Sequence, residues 1–193
     1  MADEPHRDLV ELAALYGVQT SYRDVFDRVR QASATSLLAA LRALGAPVEG
    51  PDDVPDAVHL RCQELWGRML EPVVASFERS SIPVSLRLPL RSAGRRLTCH
   101  LTLEGGEPHT WTQDLEALRR TEQADVAGTP YLGLELLVGD LPYGYHRLVV
   151  ELDGDRGAGG AGGRDPVAET LLVVAPPRAY PPQQRRAWGA FLP

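Results

Sequence analysis

The chain has 193 residues, 44% of them hydrophobic and 24% charged, with a formal net charge of −6. That is enough chain for one medium or two small domains with a real core, and the wrong sign of charge for a nucleic-acid surface. No apolar run approaches the roughly 20 residues of a membrane span, and the polar, acidic start Met1–Asp8 does not read as a secretory leader, so the expected compartment is the cytoplasm. All 20 basic residues are arginine, which reads as coding bias. The two cysteines, Cys62 and Cys99, form no metal or redox spacing and are expected to be buried thiols.

Residues 8–78 read as helical. Leu9, Leu12, Ala13 and Tyr16 recur on one face of a first helix that Gly17 ends. Residues 18–33 are polar and read as a loop packing back on the helices. A second helix is expected over about 35–44, with Leu37, Leu38, Leu41 and Leu44 as its stripe, Thr35 or Ser36 as its cap and Gly45 as its stop. Pro47–Pro55 is a turn-rich connector, and a third helix over 55–70 places Val58, Cys62, Leu65 and Met69 on one face.

The apolar period then changes from 3.6 to 2. Val84, Leu86, Leu88 and Leu90 alternate with polar neighbours, as do Leu97, Cys99, Leu101 and Leu103, and Ser92–Gly94 between the two runs has the length of a hairpin turn. Further strands are expected at 108–113, 132–138, 146–152 and 168–175, with 115–130 as a polar loop. Regularly spaced short strands of this kind imply an antiparallel β-sandwich. Residues 154–165 contain six glycines and read as a mobile hairpin tip. Ala175–Pro182 reads as a proline-stiffened linker.

Two segments carry a family resemblance. Leu141-Pro142-Tyr143-Gly144-Tyr145-His146-Arg147-Leu148 is similar to the Leu-Pro-x-Gly-Tyr-His-x-Leu segment in the N-terminal sandwich of long-form bacterial amylomaltases, the 4-alpha-glucanotransferases. Leu171–Tyr180 followed by Arg186–Pro193 resembles that family's last sandwich strand, linker and first barrel strand. The opening helices, with Leu12, Gly17 and Tyr22-Arg23-Asp24, fit more loosely. The resemblance implies an α+β chain in three parts. Residues 1–80 would form a small helical subdomain and 81–176 an immunoglobulin-like antiparallel β-sandwich. Residues 177–193 would be a Pro-rich linker and the start of the first strand of a catalytic (β/α)8 barrel, before which the chain is truncated. It also implies a non-catalytic accessory or positioning role in a protein that disproportionates α-1,4-glucans, with the barrel of the same chain and maltooligosaccharides as partners.

The residues themselves offer little catalytic chemistry. Retaining glycosyl transfer needs two carboxyl groups roughly 5–5.5 Å apart, and Asp114, Glu116, Glu122 and Asp125 read instead as one solvated loop face. His6, His59, His100, His109 and His146 are scattered, so no metal site, no cofactor and no catalytic residue is assigned. His146 is expected to hold its turn by hydrogen bonds, with Tyr145 and Leu148 packing inward. Sugars stack on exposed aromatic rings, which makes Trp111, Tyr131, Tyr143 and Tyr145, together with His146, the candidate glucan-contact or inter-domain residues. A stand-alone glycan-binding or protein-interaction sandwich without enzyme activity is the alternative reading.

Overall fold

In the computed structural model the described residues are 6–77, 79–153 and 167–178. The expected glycine-rich tip at 154–165 lies outside them, as does the expected linker and barrel strand from residue 179 onward. The chain divides into two compact units: Met1–Met69 with Arg87–Ala93 and Thr121–Gly133, and Leu70–Leu86 with Gly94–Arg120 and Leu134–Pro193.

The first unit is built on three helices, α1 (Arg7–Leu15), α2 (Ala34–Ala43) and α3 (Val54–Gly67). Both α1 and α2 end in the same way. Gly17 and Gly45 take φ of +70° and +85°, and the amide beyond each glycine returns to the helix, Val18 N to Ala13 O and Ala46 N to Leu41 O. These are Schellman closures that need the left-handed residue. The α2 cap is Ser33, whose hydroxyl accepts from Ser36 N at 3.2 Å, rather than Thr35 or Ser36. Leu9, Leu12, Leu37, Leu38 and Leu41 form the core, whereas Leu44, at the C-cap where the chain leaves the helix, is 55% exposed.

The α3 stripe differs from the expected one. Val54 and Ala57 are its buried residues, while Val58, Cys62 and Leu65 are half-buried. Arg61, one turn beyond Ala57, lies 4.4 Å above the Tyr16 ring and donates to Leu15 O, so a cationic stem covers the α1 end in place of an aliphatic one. Residues 18–33 pack back on the helices at their two ends, through Val18 and Ala32, but they are not a loop. Between those ends they form a hairpin of β1 (Ser21–Arg23) and β2 (Val29–Gln31), whose strand residues are all exposed. Asp24 organises its turn by accepting from Phe26 N and Arg28 N and pairing with Arg30; the backbone bond from Arg28 is the leading reason its carboxyl titrates below the usual range.

The remaining strands are β3 (Val73–Ser76), β4 (Ile82–Pro89), β5 (Arg96–Thr102), β6 (Pro108–Asp114), β7 (Arg119–Val126), β8 (Thr129–Val138), β9 (Gly144–Leu152) and β10 (Val167–Val174). One sheet runs β3-β10-β9-β5-β6 and the other β4-β8-β7. This is the immunoglobulin-like sandwich, mixed in one respect: β3 pairs parallel with β10. Burial alternates along β4, β5, β9 and β10, with Leu86, Leu97, Cys99, Leu148, Val150 and Leu172 at 0% exposure. Burial also pushes the Cys99 thiol up to about 12, whereas Cys62 is half-buried rather than buried.

Three sequence expectations are corrected here. Segment 73–76 is a strand, not helix. Segment 119–126 is the edge strand β7, exposed on both faces over most of its length and therefore without an apolar period. The β4–β5 connection is not a hairpin, because the two strands lie in different sheets joined through a 3-10 turn at Leu90–Ser92; a short turn can cross between sheets as readily as it can pair neighbours.

One buried group is left uncompensated. The Thr170 hydroxyl is 1% exposed and has no hydrogen-bond partner among the described residues. Thr170→Val keeps the branched shape and removes the desolvated hydroxyl, so it is expected to stabilise the protein by about 1 kcal/mol. A urea midpoint that falls instead would show that the hydroxyl has a partner after all.

Candidate functional site

The segment from Leu141 to Leu148 forms the turn from β8 into β9 and the start of β9, and each of its marked residues has a mechanical task. Leu141 and Leu148 are buried at 4% and 0% exposure. His146, at 1%, faces inward between them. Its Nδ1 accepts from Glu104 N at 3.2 Å, and its Nε2 lies 2.8 Å from Pro142 O. An amide can only donate and a carbonyl can only accept, so the ring is the neutral tautomer with the proton on Nε2. It ties the β5–β6 turn to the β8–β9 turn.

Gly144 has φ of +143°, and a Cβ there would sit 2.3 Å from Glu104 Oε2, so the glycine satisfies both a backbone and a space requirement. Arg79 fastens the other side. Its carbonyl accepts from Leu141 N at 2.9 Å, its Nε donates to Leu141 O at 3.2 Å, and its guanidinium lies 5.4 Å from the Tyr143 ring centre. Tyr145, expected to pack inward, is 60% exposed. The pleat puts it on the face opposite His146 and Leu148.

Two cavities adjoin this turn. One, of about 430 Å³, is lined by Leu103, Glu104, Gly105, Glu107, Pro142, Tyr143 and His146. The other, of about 290 Å³, is lined by Leu101, Leu103, His109, Trp111 and Leu137–Leu141. The structure thus brings Trp111, Tyr143 and His146 to neighbouring walls in the second unit. Tyr145 stands on the outer face of β9, and Tyr131 belongs to the first unit, 6.0 Å from Trp66 in a tilted ring pair. His109 is a lining residue that sequence reasoning did not single out; only its place two positions from Trp111 on a strand could have marked it.

The candidate acids do not share a loop face. Asp114 ends β6 and pairs with Arg96 at 3.0 Å, Glu122 on β7 lies 3.8 Å from Arg87, and Asp125 accepts from Gly128 N in the β7–β8 turn. Glu116 lies in the 3-10 turn after β6. The bidentate cross-strand pairs Arg119–Glu135 and Arg147–Glu169 hold both glutamates below their ordinary range, chiefly through the side-chain hydrogen bonds. No group of three or more His, Cys, Asp or Glu among the described residues is placed to hold a metal ion, and no described helix is long and apolar enough to cross a membrane.

Fold and turn together define an immunoglobulin-like β-sandwich domain preceded by a helical unit. The chain belongs to the family of MalQ N-terminal β-sandwich domains, whose model matches residues 69–176. The 4-alpha-glucanotransferases of Mycobacterium bovis and Mycobacterium tuberculosis are each 30% identical over 194 residues, spanning 94% of this chain and 23% of theirs. The crystal structure of amylomaltase from Corynebacterium glutamicum is similar at a TM-score of 0.63 and 26% identity, over 89% of this chain and 23% of that one. The chain therefore spans under a quarter of the length of the relatives it matches.

Proposed function

We propose that this chain is the non-catalytic N-terminal region of a 4-alpha-glucanotransferase that disproportionates α-1,4-glucans, with an accessory role of positioning the catalytic barrel. On this reading α1–α3 form the helical subdomain, and the sandwich reaches back beyond the expected start at 81 to take in β3, which pairs with β10. The observation that carries it is how the Leu141–Leu148 motif is used. Its histidine, glycine and first and last leucines are spent on holding two turns together, and none presents a nucleophile or a proton donor to a cavity. The similarity to glucanotransferases over nearly the whole of this chain supports the choice of enzyme. Incubating the 193-residue chain with maltotriose is expected to release no glucose and form no longer products. Turnover that survives repurification would overturn the non-catalytic assignment.

A second reading, direct contact with the glucan, is favoured by the half-open aromatic walls of the second unit, where Trp111 is half-buried and Tyr143 is 49% exposed.

A further inference from the structure

We propose that the second unit carries a binding cleft for neutral α-1,4-linked glucan along strand β6, with Trp111 as its stacking platform. The choice of ligand class rests on the function proposed above; the location rests on sheet geometry alone.

The geometry begins with strand number. One sheet has five strands and the other three, and β6 is an outermost strand of the larger. In an antiparallel pair, directly opposite residues share a face. Cys99 opposes Trp111 and Leu101 opposes His109. Cys99 and Leu101 are buried, at 0% and 5% exposure, so His109 and Trp111 point to the same inward face. Yet His109 is exposed and Trp111 only half-buried. The inward face of β6 therefore runs past the cover that closes over β5, which leaves the Trp111 side chain partly uncovered. The cavity of about 290 Å³ lies there. It shares Leu103 with the cavity of about 430 Å³, and the two are lined by the consecutive residues Leu141 and Pro142. The pair forms one track from Trp111 to Tyr143, of the size small-molecule sites occupy.

The lining chemistry selects the ligand. A pyranose offers an apolar face of C–H groups and a rim of hydroxyls. Trp111 and the half-buried Leu103, which lines both cavities, meet the first. Asp140, Glu104 and Glu107 are exposed carboxylates that accept hydroxyl hydrogens. The carboxylates Glu104, Glu107 and Asp140 outnumber the cationic groups in the lining, where no arginine takes part and nearby Arg79 is held on the Tyr143 ring and the Leu141 carbonyl, which turns the site away from phosphates and toward an uncharged polyol. His146 is a wall of the track and not a contact group, since both its nitrogens are already engaged.

The test is a calorimetric titration of the 193-residue chain with maltoheptaose, run against the same chain carrying Trp111→Ala, Trp111→Phe or Asp140→Ala, with cellohexaose as the control ligand. Saturable maltoheptaose binding is expected, weakened about tenfold or more by Trp111→Ala, less by Trp111→Phe and by Asp140→Ala, with cellohexaose much weaker. Trp111→Phe and Asp140→Ala preserve a ring or alter only an exposed side chain, so they decide the matter if the alanine variant fails to fold. Binding unchanged in these variants would overturn the location, and equal binding of cellohexaose would overturn the ligand class. Absence of any binding up to the solubility limit would overturn the cleft altogether; it would leave the transferase reading standing, because that reading is judged by glucan transfer and not by affinity of this region.

Discussion

His146→Ala is expected to destabilise the protein by roughly 3 kcal/mol. The imidazole is 1% exposed and supplies the partner for two backbone groups on different turns, Glu104 N and Pro142 O. Truncation strands both, at about 1–3 kcal/mol for a buried group that finds no new partner, and leaves a hole where the ring stood. His146→Asn separates these effects. Its Oδ1 can stand in for Nδ1 and accept from Glu104 N, so it is expected to recover part of the loss. Urea unfolding of the three proteins checks this. A loss below about 1 kcal/mol, the net worth of one ordinary hydrogen bond, would show that the histidine does not bridge the turns and would free it for another role.

Gly144→Ala is expected to cost about 1–3 kcal/mol, the penalty for forcing a non-glycine residue into a sparsely populated backbone region. The cause is testable because two effects coincide there. The new methyl would collide with the Glu104 carboxylate, but that is the far end of a flexible side chain and can move; the φ of +143° cannot be relieved in the same way. Adding Glu104→Ala should therefore restore little. Gly139→Ala, where a methyl meets nothing within 4 Å and φ is ordinary, should fall within about 0.5 kcal/mol of the parent. Full rescue of Gly144→Ala by Glu104→Ala would assign the requirement to space and not to backbone conformation.

These two residues also show what could be read from sequence. The pattern Pro142-Tyr143-Gly144-Tyr145-His146 marked a turn, and a turn was found, because a glycine and a proline at such spacing leave the backbone few choices. The partners across space were not legible. Nothing local says that His146 reaches Glu104, 42 residues away in sequence, or that Arg79 brackets Leu141. The same divide runs through the fold. Helices with a buried stripe and a glycine stop were placed to within a residue or two, as α1 and α2 show. Segments exposed on both faces carry no period, so from sequence the β1–β2 hairpin and β7 look like loops. Strand existence was visible for β4 and β5, but sheet membership was not, since it is decided by pairing and not by the turn between them.

Register explains the uneven outcome for the aromatic residues. Tyr145 and His146 are neighbours in sequence and were both candidates, yet the pleat sends one outward and the other into the core. Trp111 is a candidate for its ring alone, but its inward direction and partial cover follow from what lies opposite it, Cys99 on β5, and from the position of β6 at the end of its sheet. An alternating pattern identifies a strand with one covered face; it does not say where along a sheet the cover stops.

The central claim, that this chain is a positioning region for a glucan-transferring barrel and not a catalyst itself, is tested most directly by exchange. The 23% of the Corynebacterium glutamicum amylomaltase that this chain matches is replaced by this chain, and maltotriose disproportionation is followed for the exchanged protein, for the amylomaltase lacking that region and for this chain alone. The account predicts transfer by the exchanged protein at a rate closer to the intact amylomaltase than to the shortened one, and none by this chain alone. Transfer by this chain alone, or an exchanged protein that folds but transfers no better than the shortened one, would contradict it.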